Sequence, residues 1–136
     1  MPTPTASIAG YSHVAVSVTD VEEASRFYCD VLGFEELPRP DFGFPGAWLR
    51  VGSLQLHLGQ VDAMKPGAGF PHFALHVPTE EFQATVDGLR AAGVTFLGEP
   101  SSRVDFGTTT VWAVFITDPA GNVIELTDVG PIPARP

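Results

Sequence analysis

A chain of 136 residues with 44% apolar and 17% charged side chains is composed like one globular domain, neither disordered nor fibrous. Its net charge of −9, with Lys65 as the only lysine and six scattered arginines, lacks the clustered positive charge that a phosphate backbone requires, which excludes nucleic acid as a partner. No apolar run reaches the roughly eighteen residues of a membrane-crossing helix, and Met1 to Gly10 lacks the basic start and apolar stretch of a secretory signal.

These features, with no membrane partner, predict a cytoplasmic protein. A single cysteine, Cys29, forbids an intrachain disulfide and agrees with a reducing compartment.

In chain order, residues 1–10 read as a loose leader. Ser12 to Asp20 is a histidine followed by strict alternation, which predicts a strand. Asp20 is an oxygen-bearing helix cap before the acidic pair Glu22 and Glu23, and Val21 to Leu32 carries helical apolar spacing that stops at Gly33. Three short β-like runs follow, Phe34 to Pro38, Ala47 to Val51 and Leu54 to Leu58. Gln60 to Phe70 reads as a Gly- and Pro-containing link.

The pattern then repeats. Pro71 to Thr79 matches Ser12 to Asp20, again with a histidine at its head, and Thr79 stands where Asp20 stood as a cap. A helix over Glu80 to Ala92 stops at Gly93. Strands are expected over Val94 to Leu97, Thr109 to Thr117 and Asn122 to Thr127, the last two joined by the turn Asp118-Pro-Ala-Gly-Asn122. Residues 129–136 read as a loose tail. The expectation is α+β: two tandem βαβββ modules, 11–60 and 70–128, forming a curved mixed sheet around a metal-binding cleft within one domain, 11–128.

Strand side chains alternate between faces. Val14, Val16 and Val18 share the helix side of the first strand, leaving His13 on the other. His72, Ala74 and His76 share that same outer face in the second copy. Leu54, Leu56 and Leu58 point inward and leave Gln55 and His57 outward; Ile124 and Leu126 do the same for Glu125. A single strand histidine is ordinarily a hydrogen-bonded structural residue. The recurrence at equivalent repeat positions makes His13, His57, His72 and Glu125 candidate ligands of a divalent ion: Zn, Ni, Fe, Mn or Co. His76 has Ser17 as its repeat partner and is read as a cleft-lining group. Gln55 shares the face of His57, and its amide oxygen is the alternative ligand on that strand.

These residues carry a family resemblance. His13 opening the first strand, Phe27-Tyr28 and Val31-Leu32-Gly33-Phe34 at the helix end, His72 opening the second half, and Asp118-Pro-Ala-Gly-Asn-Val-Ile-Glu125-Leu together resemble the vicinal oxygen chelate superfamily. That superfamily includes glyoxalase I, methylmalonyl-CoA epimerase, extradiol ring-cleaving dioxygenases, fosfomycin-resistance enzymes and bleomycin-binding proteins. The resemblance covers roughly residues 11–128.

The resemblance implies metal ligation by His13, His57, His72 and Glu125, with Glu125 and His57 as catalytic groups, and a homodimer. His57 departs from the glutamate or glutamine that glyoxalase I and the epimerase place there. The expected function is a metal-dependent lyase, isomerase or dioxygenase that chelates vicinal oxygens of a small molecule. The alternative is a metal-free protein that sequesters a drug or metabolite between aromatic side chains, with Phe42, Phe44, Trp48, Phe106 and Trp112 as lining. Phe42 to Gly46 reads as a loop over the cleft, and Arg50 and Arg103 are candidate anion-binding groups.

Overall fold

Both histidine-led segments open modules of the same topology. The structure is a computed structural model, and it describes residues 5–65, 71–105 and 109–130. The first module contains β1 (His13–Val18), α1 (Val21–Arg26), β2 (Glu35–Leu37), β3 (Gly46–Val51) and β4 (Leu54–Gln60). The second contains β5 (Phe73–His76), α2 (Thr79–Ala91), β6 (Thr95–Phe96), β7 (Ser101–Asp105), β8 (Thr109–Thr117) and β9 (Val123–Thr127).

In each module the first strand runs parallel to the last and the rest pair antiparallel. The orders are β1-β4-β3-β2 and β5-β9-β8-β6, with β7 added against β8. The α+β class is as expected, and the curved sheet is built as two mixed sheets, one per module. β7 is a strand the pattern does not announce. Its Ser-Ser-Arg-Val-Asp run has no apolar alternation, and only pairing with β8 makes it a strand. Parts of the expected loose termini and of the 60–70 link, and Phe106, lie outside the described residues.

The helix starts differ between copies. Asp20 caps α1, its Oδ1 accepting from the Glu23 N–H at 3.1 Å. Thr79 does not cap α2: Pro78 occupies that position without a side-chain bond, and Thr79 is the first helical residue. Its hydroxyl donates instead to Asp128 Oδ2 at 3.0 Å. The first helix, expected to run to Leu32, keeps α geometry only to Arg26. It then widens into a π-helical turn, Phe27–Val31, with Leu32 N–H donating to Phe27 O at 3.1 Å. Both helical segments give way to a glycine at φ +81°, Gly33 and Gly93, a conformation only glycine adopts without strain.

One continuous core joins the modules. Val18, Leu49, Leu56 and Leu58 of the first sheet and Val114, Ile116, Ile124 and Leu126 of the second are buried in the same cluster as Tyr28, Phe82 and Val86 from the helices. The inward face predicted for β1 holds at Val18 and Val16, whereas Val14 is 38% exposed near the strand's start.

A polar knot fastens the modules to each other. Asp118, 4% exposed, sits at the β8–β9 turn. Its Oδ1 accepts from the backbone N–H groups of Ala120 and Asn122 at 2.9 and 2.8 Å, and its Oδ2 from Asn122 Nδ2 and the Tyr28 hydroxyl, both at 2.8 Å. Asn122 Nδ2 also donates to the Ser17 carbonyl of β1 at 2.8 Å. Burial, followed by the Asp118 charge and hydrogen bond, pushes the Tyr28 hydroxyl's pKa far above its ordinary 10.0.

Tyr28→Phe removes one bond to a buried carboxylate and is expected to lower stability by about 1.5–3 kcal/mol, read as a lower urea midpoint with an unchanged slope. The raised pKa sets a second expectation. The unfolded tyrosine ionises near pH 10 while the folded one keeps its proton, so stability is full below pH 10 and falls as pH rises above it. Tyr28→Phe should flatten that alkaline decline; an equally steep decline would show that Tyr28 is not its source.

Candidate functional site

The outward face of the first sheet is organised in two rows by strand register. One runs Glu35, Arg50, Gln55, His13; the other runs Leu37, Trp48, His57, Ala15. The second sheet repeats the latter row as Phe115, Glu125, Ala74. His57 thus stands where Glu125 stands, each opposite an alanine of a parallel strand. In both copies a histidine lies two residues before that alanine, His13 and His72. The register favours His57 over Gln55 as the repeat equivalent of Glu125.

The structure assembles the four candidates as two pairs. In the first module the rings of His13 and His57 stack at 3.9 Å between centroids, and Trp48 covers the other side of His57 at 4.4 Å. His57 Nε2 lies 2.8 Å from Gln55 Oε1, and since the amide oxygen only accepts, the ring nitrogen donates. Ser12 Oγ lies 3.0 Å from His13 Nδ1. Burial, then the neighbouring His13 and Arg39, lowers the His57 pKa and keeps the ring neutral at pH 7.

In the second module His72 Nε2 lies 3.1 Å from Glu125 Oε1, both half-buried, and the Phe115 ring meets His72 edge-on at 5.3 Å. Among the described residues no three histidine, cysteine, aspartate or glutamate side chains come close enough to hold one ion. Within one chain the four candidates thus stand as two half-sets of two, and the sequence leaves open whether a cleft joining them lies within one chain or between two. Alternation fixes which face a side chain takes, but not how one sheet sits against another.

The remaining candidates divide. Trp48, Phe44 and Gln55 line a cavity of about 720 Å³ with His13 and His57. His76 lines a separate cavity of about 770 Å³ with Glu125 and Thr127. Arg50 lines neither of these two but borders a third cavity of about 320 Å³ with Trp48 and Gln55, and its Nε donates to Glu35 Oε2 at 3.2 Å on the exposed sheet edge. The side chain of Arg103 lies outside the described residues.

The sequence reading passed over Arg39, which borders the 720 Å³ cavity. Its guanidinium lies over the rings of Phe42 and Phe44, 5.0 and 4.9 Å from their centroids. Its position between Pro38 and Pro40 gave no periodic signal. The one available clue was its nearness to the Phe42-Gly-Phe loop.

A cavity walled by aromatic faces and floored by imidazoles can hold a small flat molecule. The His72–Glu125 pair offers a nitrogen and an oxygen donor side by side. Comparisons with known proteins bear on the family. The family model for the glyoxalase/bleomycin resistance protein/dioxygenase superfamily matches residues 10–126. The probable lactoylglutathione lyase of Synechocystis sp. is 33% identical over 124 residues, spanning 84% of this chain and 91% of that protein. The metallothiol transferase FosB of Staphylococcus epidermidis is 28% identical over 123 residues, spanning 88% and 81%.

The chain spans less than half the length of the lactoylglutathione lyases of Arabidopsis and Brassica that it matches. Among solved structures, a point mutant of the fosfomycin resistance protein FosX of Listeria monocytogenes, complexed with Mn(II) and 1S,2S-dihydroxypropylphosphonic acid, superposes with a TM-score of 0.76. It is 19% identical, and the match covers 92% of this chain and 95% of that one. No helix among the described residues is long and apolar enough to cross a membrane. With the family model spanning both modules and the repeat register carrying His13, His57, His72 and Glu125, the chain belongs to the glyoxalase/bleomycin resistance protein/dioxygenase superfamily.

Proposed function

We propose that the protein is a divalent-metal-dependent enzyme acting on a small oxygenated molecule, with His13 and His57 of one copy and His72 and Glu125 of a second copy as the metal ligands. The observation that carries this reading is the duplicated register: Ala15 opposite His57 and Ala74 opposite Glu125, each with a histidine two residues upstream. Two half-sets of two donors, neither sufficient alone, are what a site shared between copies requires.

The donor chemistry fits the ion. Neutral imidazoles and one carboxylate suit Zn, Ni, Fe, Mn or Co, and the Mn(II) complex of FosX supports manganese within that group. Such an ion would supply Lewis-acid polarisation of neighbouring substrate oxygens. The chain's own residues do the rest. Glu125 is the residue to take a proton from a carbon or hydroxyl beside those oxygens; before an ion enters, its carboxylate accepts a hydrogen bond from His72 at 3.1 Å. His57, held between Trp48 and His13 and bonded to Gln55, is positioned as the second proton-handling group. Trp48 and Phe44 present apolar ring faces to the cavity. The lactoylglutathione lyase and FosB relatives support lyase or transferase chemistry.

A metal-free sequestering role is the second reading, favoured by the exposed aromatic faces of Phe42 and Phe44 beside the cavity.

Protein purified without added metal and then titrated with Mn, Zn or Ni should take up about one ion per chain. Glu125→Ala or His72→Ala should weaken that binding by at least about 100-fold with unfolding midpoints near wild type, because even residues that only orient a ligand contribute 10- to 100-fold. Absence of uptake by wild type, with a flat ligand still bound, would establish the sequestering role instead.

Sharing across copies has its own test. His13→Ala and Glu125→Ala chains, each unable to bind alone, should on mixing and refolding regain about a quarter of the wild-type metal, since random pairing makes half the dimers mixed and one of their two sites intact. No recovery in a verified mixed dimer would place each site within one chain.

A further inference from the structure

We propose that the first-module cavity receives the flat ring of an aromatic carboxylate, with Arg39 pairing the carboxylate and the Phe42, Phe44 and Trp48 faces holding the ring. This deepens the proposed function by naming its substrate class, and rests on it for placing the reactive end toward His57.

Arg39 is set in place by several features at once. Its guanidinium covers two phenylalanine rings, and Nη1 donates to the Phe44 carbonyl at 3.2 Å. Gly46 makes room for it: a Cβ there would lie 2.7 Å from Nη2 and 2.8 Å from Cζ of Arg39. An arginine packed this way keeps its planar fork ordered at little further entropic cost. In a chain of net charge −9, Arg39 has no carboxylate within ion-pair distance among the described residues, whereas Arg50 pairs with Glu35 and Arg90 with Glu99. An ordered, half-buried guanidinium bordering a cavity and lacking an internal anion is suited to an external one.

The ring half of the proposal follows from the wall. Phe42 and Phe44 are 53% and 50% exposed, and their centroids lie 6.3 Å apart. Phe42 lies 6.0 Å from Trp48, which in turn stacks on His57. This run of π faces extends from Arg39 to the imidazole pair. A ligand ring lying on it reaches the guanidinium at one end and the histidines at the other.

The test uses metal-free protein and three probes: benzoate, benzamide and cyclohexanecarboxylate. Calorimetry and ligand-observed NMR give the affinities. Benzoate should bind at least about tenfold more tightly than either of the others, since removing the charge forfeits the Arg39 pair and removing the ring forfeits stacking. Arg39→Gln should weaken benzoate about tenfold more than it weakens benzamide. If Arg39→Gln does not fold, Arg39→Lys serves: it keeps the charge, loses the planar face, and should retain a weakened preference for benzoate over benzamide. Equal binding of benzamide and benzoate, or full-strength benzoate binding by the Arg39 variant, would overturn the carboxylate assignment. Equal binding of cyclohexanecarboxylate would overturn the ring assignment. Metal uptake, measured separately on the same preparations, shows independently whether the metal reading holds.

Discussion

The fold turns on one buried carboxylate. Asp118 is enclosed at the β8–β9 turn, where an unpaired charge would be strongly destabilising, and it is tolerated because two backbone amides, one side-chain amide and one phenol all donate to it. Two of those bonds close the hairpin that launches β9, the strand of Glu125. The Tyr28 bond spans 90 residues and fixes the π-helical turn of the first module to the second module. Asn122 extends the knot to the Ser17 carbonyl of β1, the strand of His13. The Asp-Pro-Ala-Gly-Asn run that most strongly marks the family is thus a structural fastening, and its effect on chemistry passes through the strands it anchors.

Duplication explains why the donors come in pairs. A parallel β1–β4 pairing and its β5–β9 copy place an alanine opposite His57 and another opposite Glu125. Alanine's single methyl leaves space above the sheet, and the ring or carboxylate leans toward the histidine two residues away. One module therefore builds one histidine plus one partner. A second module repeats the geometry on a different sheet, so a four-donor site demands that two modules be brought face to face. Phe115 on β8, 37% exposed and in register with Glu125, leaves apolar surface on the outward side of the second sheet, which such apposition would cover.

Much of this was legible in the sequence because it depends on short-range rules. His13 at the head of β1, the Asp20 cap, the stops at Gly33 and Gly93, and the inward Leu56 and Leu58 of β4 follow from spacing and backbone preference, whereas His72 falls one residue before β5 and Leu54, expected inward, is 40% exposed at the start of β4. The failures share a cause in long-range packing. Thr79 lost the cap role because Asp128, 49 residues away, binds its hydroxyl. β7 exists because β8 offers an edge, and no pattern of its own predicts it. Arg39 matters because Phe42, Phe44 and Gly46 converge on it, although each residue is ordinary in the sequence.

The two half-sets are also chemically unequal, and this bears on what each contributes. His72 and Glu125 are already joined by a ring N–H pointing at a carboxylate oxygen; an ion taking both atoms would replace that hydrogen, which must move to the other ring nitrogen or leave. In the first module the corresponding Nε2 of His57 is committed to Gln55, and both faces of its ring are covered by His13 and Trp48. Its ring plane is therefore fixed from both faces, and the His72 ring meets Phe115 edge-on. The first module supplies rigid direction and a hydrophobic wall. The second supplies the only formal negative charge among the four proposed donors, so in the proposed site the attraction for a cation would originate at Glu125.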